Sequence, residues 1–224
     1  MPAKLCAHTG MDALTHAIEA YVSTAASPYT DANALYAMRE IAAWLPRSYA
    51  GDKEARKHMH DAQCIAGIAF SSGLLGIVHS MAHKTGAAFS GGHIIHGCAN
   101  AMYLGKVIQF NAKDERAAQR YAYIADEVFH LGGATTGEKV QNLVQMIRDL
   151  NDKIDVPQGI KNYGQGGVVS EASIIDEKEF LEKIPQVAVN ALADACTGSN
   201  PRQPSPEEME QLLKCVYYDL PVEF

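Results

Sequence analysis

The spacing of apolar residues is the feature that most constrains the fold of this chain. Apolar side chains recur every three or four residues along most of the sequence, as at Val140, Leu143, Val144 and Ile147, and alternating apolar and polar stretches are hard to find. Intervals of three and four place side chains on one face of an α-helix, whereas a half-buried strand needs alternation. The sequence therefore predicts an all-α fold, a helical bundle in which each apolar stripe faces a common core.

Helix boundaries follow from the ends of these stripes and from capping signals. The predicted helices span approximately 10–26, 30–49, 53–73, 76–88, 96–111, 114–130, 136–153, 177–193 and 205–217. Thr135 with Glu138, and Ser205 with Glu208, have the spacing of capping boxes. Pro185 is expected to kink or split the eighth helix. No repeat or long linker divides the chain, so residues 1–224 are predicted to form a single α-helical domain.

Composition narrows the partners and the compartment. The 224 residues carry a formal net charge of −7 with a pI near 5.7 and no basic stripe, which disfavours nucleic acid and anionic membranes as partners. The five cysteines are scattered without a C-x-x-C, so neither a disulfide framework nor a thiolate zinc site is predicted. No apolar stretch has the length of a membrane span or the context of a signal peptide. A cytoplasmic protein is the expectation.

Two pairs of polar residues with a spacing of four predict a metal site. Asp12 and His16 would share one helix face, and His79 and His83 would share another. One carboxylate with two or three imidazoles suits a divalent transition metal such as Fe(II) or Zn. We therefore predict a mononuclear metal site divided between helices.

Each piece of this pattern also has a structural interpretation. Thr9 and Asp12 fit a capping box, in which Asp12 would satisfy amides at a helix start. His16 alone could be a half-buried histidine with ordinary hydrogen bonds. The His79 pair lacks the glutamate that follows the first histidine in a zincin, which removes the metalloprotease interpretation.

Three segments of the chain resemble signatures of one enzyme family. The segment His8–Tyr21, which reads HTGMDALTHAIEAY, resembles a signature of the iron-containing (group III) alcohol dehydrogenases. The segments His79–Gly86 and His96–Ala101 resemble that family's second signature. The resemblance extends through the Asn200-Pro201-Arg202 loop and covers the family's C-terminal helical half.

The resemblance implies roles for particular residues. It assigns metal binding to one aspartate and three histidines, which here are Asp12, His16, His79 and His96. His83 matches a histidine beside the metal, near nicotinamide and substrate, and is the predicted catalytic and cofactor-contacting residue. His93 fits a shorter spacing and is the alternative to His96 as last ligand, but only His96 is followed by the family's Gly97–Ala101 pattern. The implied metal is Fe2+, with Zn2+ as the alternative.

The resemblance also implies an activity and a missing part. Family members exchange a hydride between a small alcohol or aldehyde and NAD(P), which is bound by an N-terminal α/β domain. The present sequence lacks that domain's Gly-rich phosphate loop, since the nearest imitation, Leu131–Lys139, is flanked by predicted helices. We therefore predict the metal-binding catalytic half of the enzyme, able to use NAD(P) only with an N-terminal domain. A homodimer is compatible with the sequence.

The sequence leaves two alternative functions open. The first is a metal-binding helical module that has no dehydrogenase activity on its own, because hydride transfer needs a cofactor site. The second is a metal phosphohydrolase of the HD type, suggested by His60-Asp61. The charged residues around that dipeptide are more typical of a solvated helix face.

Overall fold

A computed structural model describes residues 1–90, 93–165 and 174–224. Within these ranges the regular secondary structure is entirely helical, which confirms the predicted all-α class. The helices are α1 Ala3–Val22, α2 Pro28–Tyr49, α3 Lys53–Gly73, α4 Ile77–Thr85, α5 His96–Asn111, α6 Glu115–Tyr123, α7 Thr136–Lys153, α8 Glu177–Leu192 and α9 Pro206–Tyr218. A π-helical segment, Ile124–Val128, continues α6, and short 3-10 helices span Ile160–Asn162 and Ala195–Ser199.

Helix α1 is the central element of the bundle. Fourteen of its 20 residues are buried, and it packs against α2, α3 and α5. A helix that is apolar nearly all round can bury its apolar surface only in the interior of the fold. Polar side chains on α1 are therefore held in the interior, where they need polar partners.

The start of α1 differs from the prediction. The helix begins at Ala3 rather than near residue 10, so Thr9 lies inside it. The Thr9 hydroxyl donates to the carbonyl of Leu5 at 2.8 Å instead of capping a helix start. The interpretation of Asp12 as a capping residue is therefore wrong, and its carboxylate is available to neighbouring helices.

The other local predictions concern caps and a proline. Both predicted capping boxes are present, at the starts of α7 and α9. Pro185 lies inside α8, which runs through it as one helix rather than splitting. Burial of Phe180, Ile184 and Val187 on one face holds α8 together across the missing backbone donor.

Helices α3 and α4 meet at a sharp bend of 104°. Leu74 ends α3 with a positive φ of 62°, and the extended Gly76 precedes α4. In the described ranges no single helix is long and apolar enough to cross a membrane, although this bent pair passes that test together by length and composition. The bend turns the start of α4 toward α1 and the 195–199 segment.

A partly buried group of charges joins α5, α7 and the end of α9. Asp219 adopts a left-handed conformation after α9 and accepts two hydrogen bonds from Arg148, at 2.7 and 2.8 Å. The same carboxylate lies 2.8 Å from the ammonium of Lys106, which is only 7% exposed. Two cations, of which Lys106 is buried and Arg148 is half-buried, thus depend on one anion.

Asp219→Asn is expected to lower the free energy of unfolding by about 1–3 kcal/mol, because it leaves the buried Lys106 without its counter-charge, while the part-exposed Arg148 stays solvated. Asparagine keeps the shape and tolerates a positive φ, so the change isolates the charge. Urea denaturation measures the effect. Glu182→Gln is the matched control, since it breaks an exposed pair with Lys178 and should cost under about 0.5 kcal/mol. Equal losses in the two variants would contradict the prediction.

Candidate metal centre

Three helices bring the predicted ligand residues to one point. Helix α1 presents Asp12 and His16 from one face, since residues four apart are neighbours on a helix. Helix α4 presents His79 from its first turn, and α5 begins at His96. The four side chains thus converge from elements that are far apart in sequence.

The carboxylate of Asp12 is the centre of this group. Its Oδ1 atom lies 3.4 Å from Nε2 of His79, 3.4 Å from Nε2 of His96 and 3.8 Å from Nε2 of His16. Asp12, His16 and His79 offer ligand atoms that all lie within 4.8 Å of one another, and His96 joins them through its approach to Asp12. His79 is fully buried, whereas the side chain of His96 is 40% exposed, so the group opens on the His96 side.

His16 is held as a neutral imidazole. Its ring stacks between Phe70, with centroids 4.4 Å apart, and His79, with centroids 4.6 Å apart. Burial lowers the pKa of His16 to about 4, although Asp12 opposes that effect. At neutral pH its lone pair is therefore free for a metal.

Asp12 is held as an anion. Burial opposes its ionisation, but hydrogen bonds with His79 and His96 keep its pKa well below the usual range. An ionised carboxylate among imidazoles is a donor set that suits Fe(II) or Zn. The chemistry of the donors fits a divalent cation.

Asn100 also contacts this group of side chains, and sequence reasoning missed it. Its Nδ2 group donates to Asp12 Oδ1 at 2.6 Å and lies 3.2 Å from Nε2 of both His79 and His96. Its Oδ1 atom is buried and has no hydrogen-bond partner in the described part of the chain. An electropositive group thus lies where the ligand atoms converge. The spacing of four from His96 was the available signal.

Glu19 is a second residue that sequence reasoning missed. It lies on the same face of α1 as Asp12 and His16, seven residues after Asp12, and is 3% exposed. Its Oε2 atom is 2.5 Å from Nδ1 of His79. Burial lowers the pKa of His79, but Glu19 and Asp12 outweigh this and raise it to about 9 in the cation-free protein.

His83 lies beside this group rather than in it. Its ring stacks against His96 with centroids 5.3 Å apart, and its Nδ1 atom lies 3.2 Å from Asp194. Lys84 also pairs with Asp194, at 2.9 Å. Burial opposes ionisation of Asp194, but bonds from Lys84, the Cys196 amide and His83 lower its pKa to about 2.

His83, Asp194 and Cys196 form another group of potential ligands within 4.8 Å. Burial, together with Asp194, raises the pKa of the Cys196 thiol to about 12, and a thiol is a poor ligand. Lys84 already neutralises the carboxylate. The group around Asp12 is therefore the better candidate for a metal.

The remaining sequence candidates lie elsewhere. His93 is exposed, and its Nδ1 atom donates to the carbonyl of Gly86 at 3.1 Å, so it is His96 that approaches Asp12. His60 and Asp61 are both exposed on α3 and belong to neither ligand group among the described residues. Their surroundings match the solvated helix face that the sequence indicated.

Comparison with known proteins identifies the family. A family model described as the Fe-containing alcohol dehydrogenase family, C-terminal, matches residues 6–217. The chain belongs to this family. It is 53% identical to an NADPH-dependent butanol dehydrogenase of Clostridium saccharobutylicum over 224 residues, which are all of this chain and 54% of that protein. It is 40% identical to the bifunctional aldehyde-alcohol dehydrogenase of Escherichia coli K12 over 97% of this chain and 25% of that protein.

Solved structures support the same conclusion. An iron-containing alcohol dehydrogenase from Thermococcus thioreducens matches with a TM-score of 0.84 and 35% identity, covering 97% of this chain and 52% of that one. A 1,3-propanediol oxidoreductase matches with a TM-score of 0.83 and 34% identity, over 97% of this chain and 53% of that one. The chain therefore has the fold of C-terminal domains of iron-containing alcohol dehydrogenases. It spans about half the length of these relatives, and a quarter of the bifunctional enzyme.

Proposed function

We propose that this chain is the metal-binding catalytic half of an NAD(P)-dependent alcohol dehydrogenase. The observation that carries the proposal is the convergence of Asp12 with the Nε2 atoms of three histidines, at 3.4 to 3.8 Å from one carboxylate oxygen. The ligands of the proposal are Asp12, His16, His79 and His96. Membership of the iron-containing family favours Fe2+, and the same donors accept Zn2+.

The metal would act on the reacting oxygen. When bound, a divalent cation polarises the oxygen of an alcohol or aldehyde. The protein's part is to fix the cation with one anionic and three imidazole donors while leaving access from the half-exposed His96 side.

An apolar pocket beside the centre suits the carbon chain of a substrate. It has a volume of about 260 Å³ and is lined mainly by Phe70, Leu74, Leu75, Ala195 and Cys196. Phe70 also stacks on His16, so the pocket adjoins the proposed metal. A small alcohol or aldehyde with an apolar chain fits this chemistry, and the butanol dehydrogenase named among the relatives is consistent with it.

His83 is the proposed proton-transfer residue and nicotinamide contact. Asp194 accepts the Nδ1 proton of His83, which leaves Nε2 to exchange a proton with substrate or solvent. Its side chain is 39% exposed, as a residue at a cleft should be. NAD(P), when bound, would accept or supply the hydride.

We propose that residues 1–224 act as one α-helical domain and that turnover requires an N-terminal α/β domain that binds the nucleotide. In support, no strand is found in the described ranges, and the relatives named above are about twice as long as this chain or, for the bifunctional enzyme, about four times as long. The alternative is a helical module that binds metal without catalysis.

The metal centre is tested by metal analysis of the purified chain. We expect about one equivalent of Fe2+ or Zn2+ per chain and a large loss in His16→Ala, because one of four donors is removed. His60→Ala, an exposed histidine on α3, is the matched control and should keep its metal. Equal metal content in all three proteins would overturn the proposed centre.

Activity assays test whether turnover requires the N-terminal domain. The 224 residues alone are expected to show no NAD(P)-dependent alcohol oxidation, and a fusion to the nucleotide-binding half of a relative should restore it. His83→Ala in the fusion should then lower kcat about 10²–10⁴-fold with metal retained. Robust turnover by the 224 residues alone would contradict the requirement for a second domain, and a metal-loaded but inactive fusion would favour the non-catalytic module.

A further inference from the structure

We infer that Glu19 is a positioning residue that fixes the ring orientation and tautomer of His79, so that Nε2 of this imidazole is directed at the metal. The inference rests on the proposed function of the centre and extends it to a residue outside the ligand set. Glu19 touches no proposed substrate or cation atom, and its effect passes through His79.

The first observation is a complete pairing of the Glu19 carboxylate. Oε2 accepts from Nδ1 of His79 at 2.5 Å, and Oε1 accepts from the backbone amide of Val78 at 2.8 Å. Both side chains are buried, at 3% or less exposure. Because Nδ1 carries the proton that Glu19 accepts, the lone pair of the neutral ring must lie on Nε2, which faces Asp12.

The second observation concerns the backbone around His79. Oδ1 of Asn200 accepts from the amide of Ile77, while Glu19 accepts from the next amide, so two side chains satisfy buried donors at the start of α4 that have no partner within the helix. A Cβ atom at Gly76 would lie 2.7 Å from Asn200 Oδ1 and 2.8 Å from Glu19 Oε1. A side chain at this position would push both oxygens away from the amides that they accept from. Glu19 therefore holds the first turn of α4 and the ring that projects from it.

The pairing explains why an amide cannot replace this carboxylate. Both oxygens of Glu19 face N–H donors, and glutamine offers only one oxygen. If that oxygen faces Val78, the NH2 group faces Nδ1 of His79, which must then accept, and the proton moves to Nε2. If the glutamine oxygen faces His79 instead, its NH2 group lies against the backbone amide of Val78, and two hydrogen-bond donors face each other. The first arrangement blocks Nε2 with a proton, and the second keeps the Nε2 lone pair only at the cost of an unpaired Val78 amide, so the variant should bind a cation at Nε2 more weakly.

Zn2+ titration of the chain by calorimetry tests the inference. Glu19→Gln is expected to bind Zn2+ about 10–100-fold more weakly than the wild type, the range known for partners of metal-bound histidines. Glu40→Gln is the matched control, because it removes a carboxylate from another imidazole, His58, at 3.3 Å between α2 and α3. This control should bind Zn2+ with wild-type affinity.

A second readout needs no variant. In the Zn2+-loaded wild type, NMR of 15N-labelled imidazoles should show an Nδ1 proton on His79 that resonates at low field and exchanges slowly with solvent, because Glu19 accepts it. In Zn2+-loaded Glu19→Gln the ring still carries this proton, since Nε2 is bound, but its signal should move upfield and exchange faster. A purely structural role would lower stability without shifting the signal. Equal Zn2+ affinity of Glu19→Gln and wild type, or an unprotonated Nδ1 in the loaded wild type, would overturn the inference and leave the metal centre standing. A wild type that binds no Zn2+ would overturn the centre itself and the inference with it.

Discussion

Gly97→Ala is expected to disable the metal centre and destabilise the fold together. Gly97 follows His96 in the first turn of α5, and a Cβ atom built there would overlap the carbonyl oxygen of His8 on α1. The obstacle is backbone, which cannot rotate away as a flexible side chain could. The start of α5 must therefore move from α1 and carry His96 away from Asp12. We expect a loss of about 1–3 kcal/mol in the free energy of unfolding, or more, together with loss of Zn2+ binding.

The same helix offers a matched control for this prediction. A Cβ atom at Gly105 in α5 would meet only Val144 Cγ1, at an ordinary 3.5 Å. Gly105→Ala should therefore be neutral or stabilising by up to about 1 kcal/mol, since alanine favours a helix interior. Urea denaturation and Zn2+ calorimetry compare the two variants. Wild-type stability and affinity in Gly97→Ala would show that the close approach of α5 to α1 is not what places His96.

The sequence could predict those parts of the fold and site that depend on local spacing. The interval of four places Asp12 beside His16, and His79 beside His83, because helical geometry is the same in any fold. The stripe along α7 is buried for the same reason. The start of α1 was missed because the spacing of Thr9 and Asp12 is also that of a cap, and only burial of the preceding turn separates the two cases.

Contacts between helices were beyond this reasoning. Two histidines, His93 and His96, were both available as the third imidazole, and the packing of α5 on α1 brings His96 to Asp12. Glu19 and Asn100 were missed because their partners lie on other helices, at sequence separations of 60 and 88. Their spacing from Asp12 and His96 on a helix face was visible, but a polar residue on a buried face has meaning only once its partner is known.

Removal of the cation is expected to destabilise the chain, and increasingly so as the pH rises from 6.5 to 8.5. A cation held at a thousandfold excess over its Kd stabilises by about 4 kcal/mol, or roughly 10 °C in Tm for a chain of this size. In the cation-free protein, burial lowers the pKa of His79, but Glu19 and Asp12 outweigh this and raise it from 6.5 to about 9.

The sign of the pH effect follows from that raised pKa. The proton on His79 stabilises the cation-free fold fully below pH 6.5, and this stabilisation is lost as the pH rises through 9. The proton and the cation compete for Nε2, so apparent affinity should rise by up to about tenfold per pH unit in the same window, with one proton released per cation. Differential scanning calorimetry with Zn2+ or with a chelator, from pH 6.5 to 8.5, measures both effects. His58→Ala should leave the difference in Tm between the Zn2+-loaded and the chelator-treated protein unchanged, because His58 lies outside the centre and pairs with Glu40. If this difference in Tm narrows with rising pH, the cation does not displace a proton from His79, and this residue is removed from the ligand set.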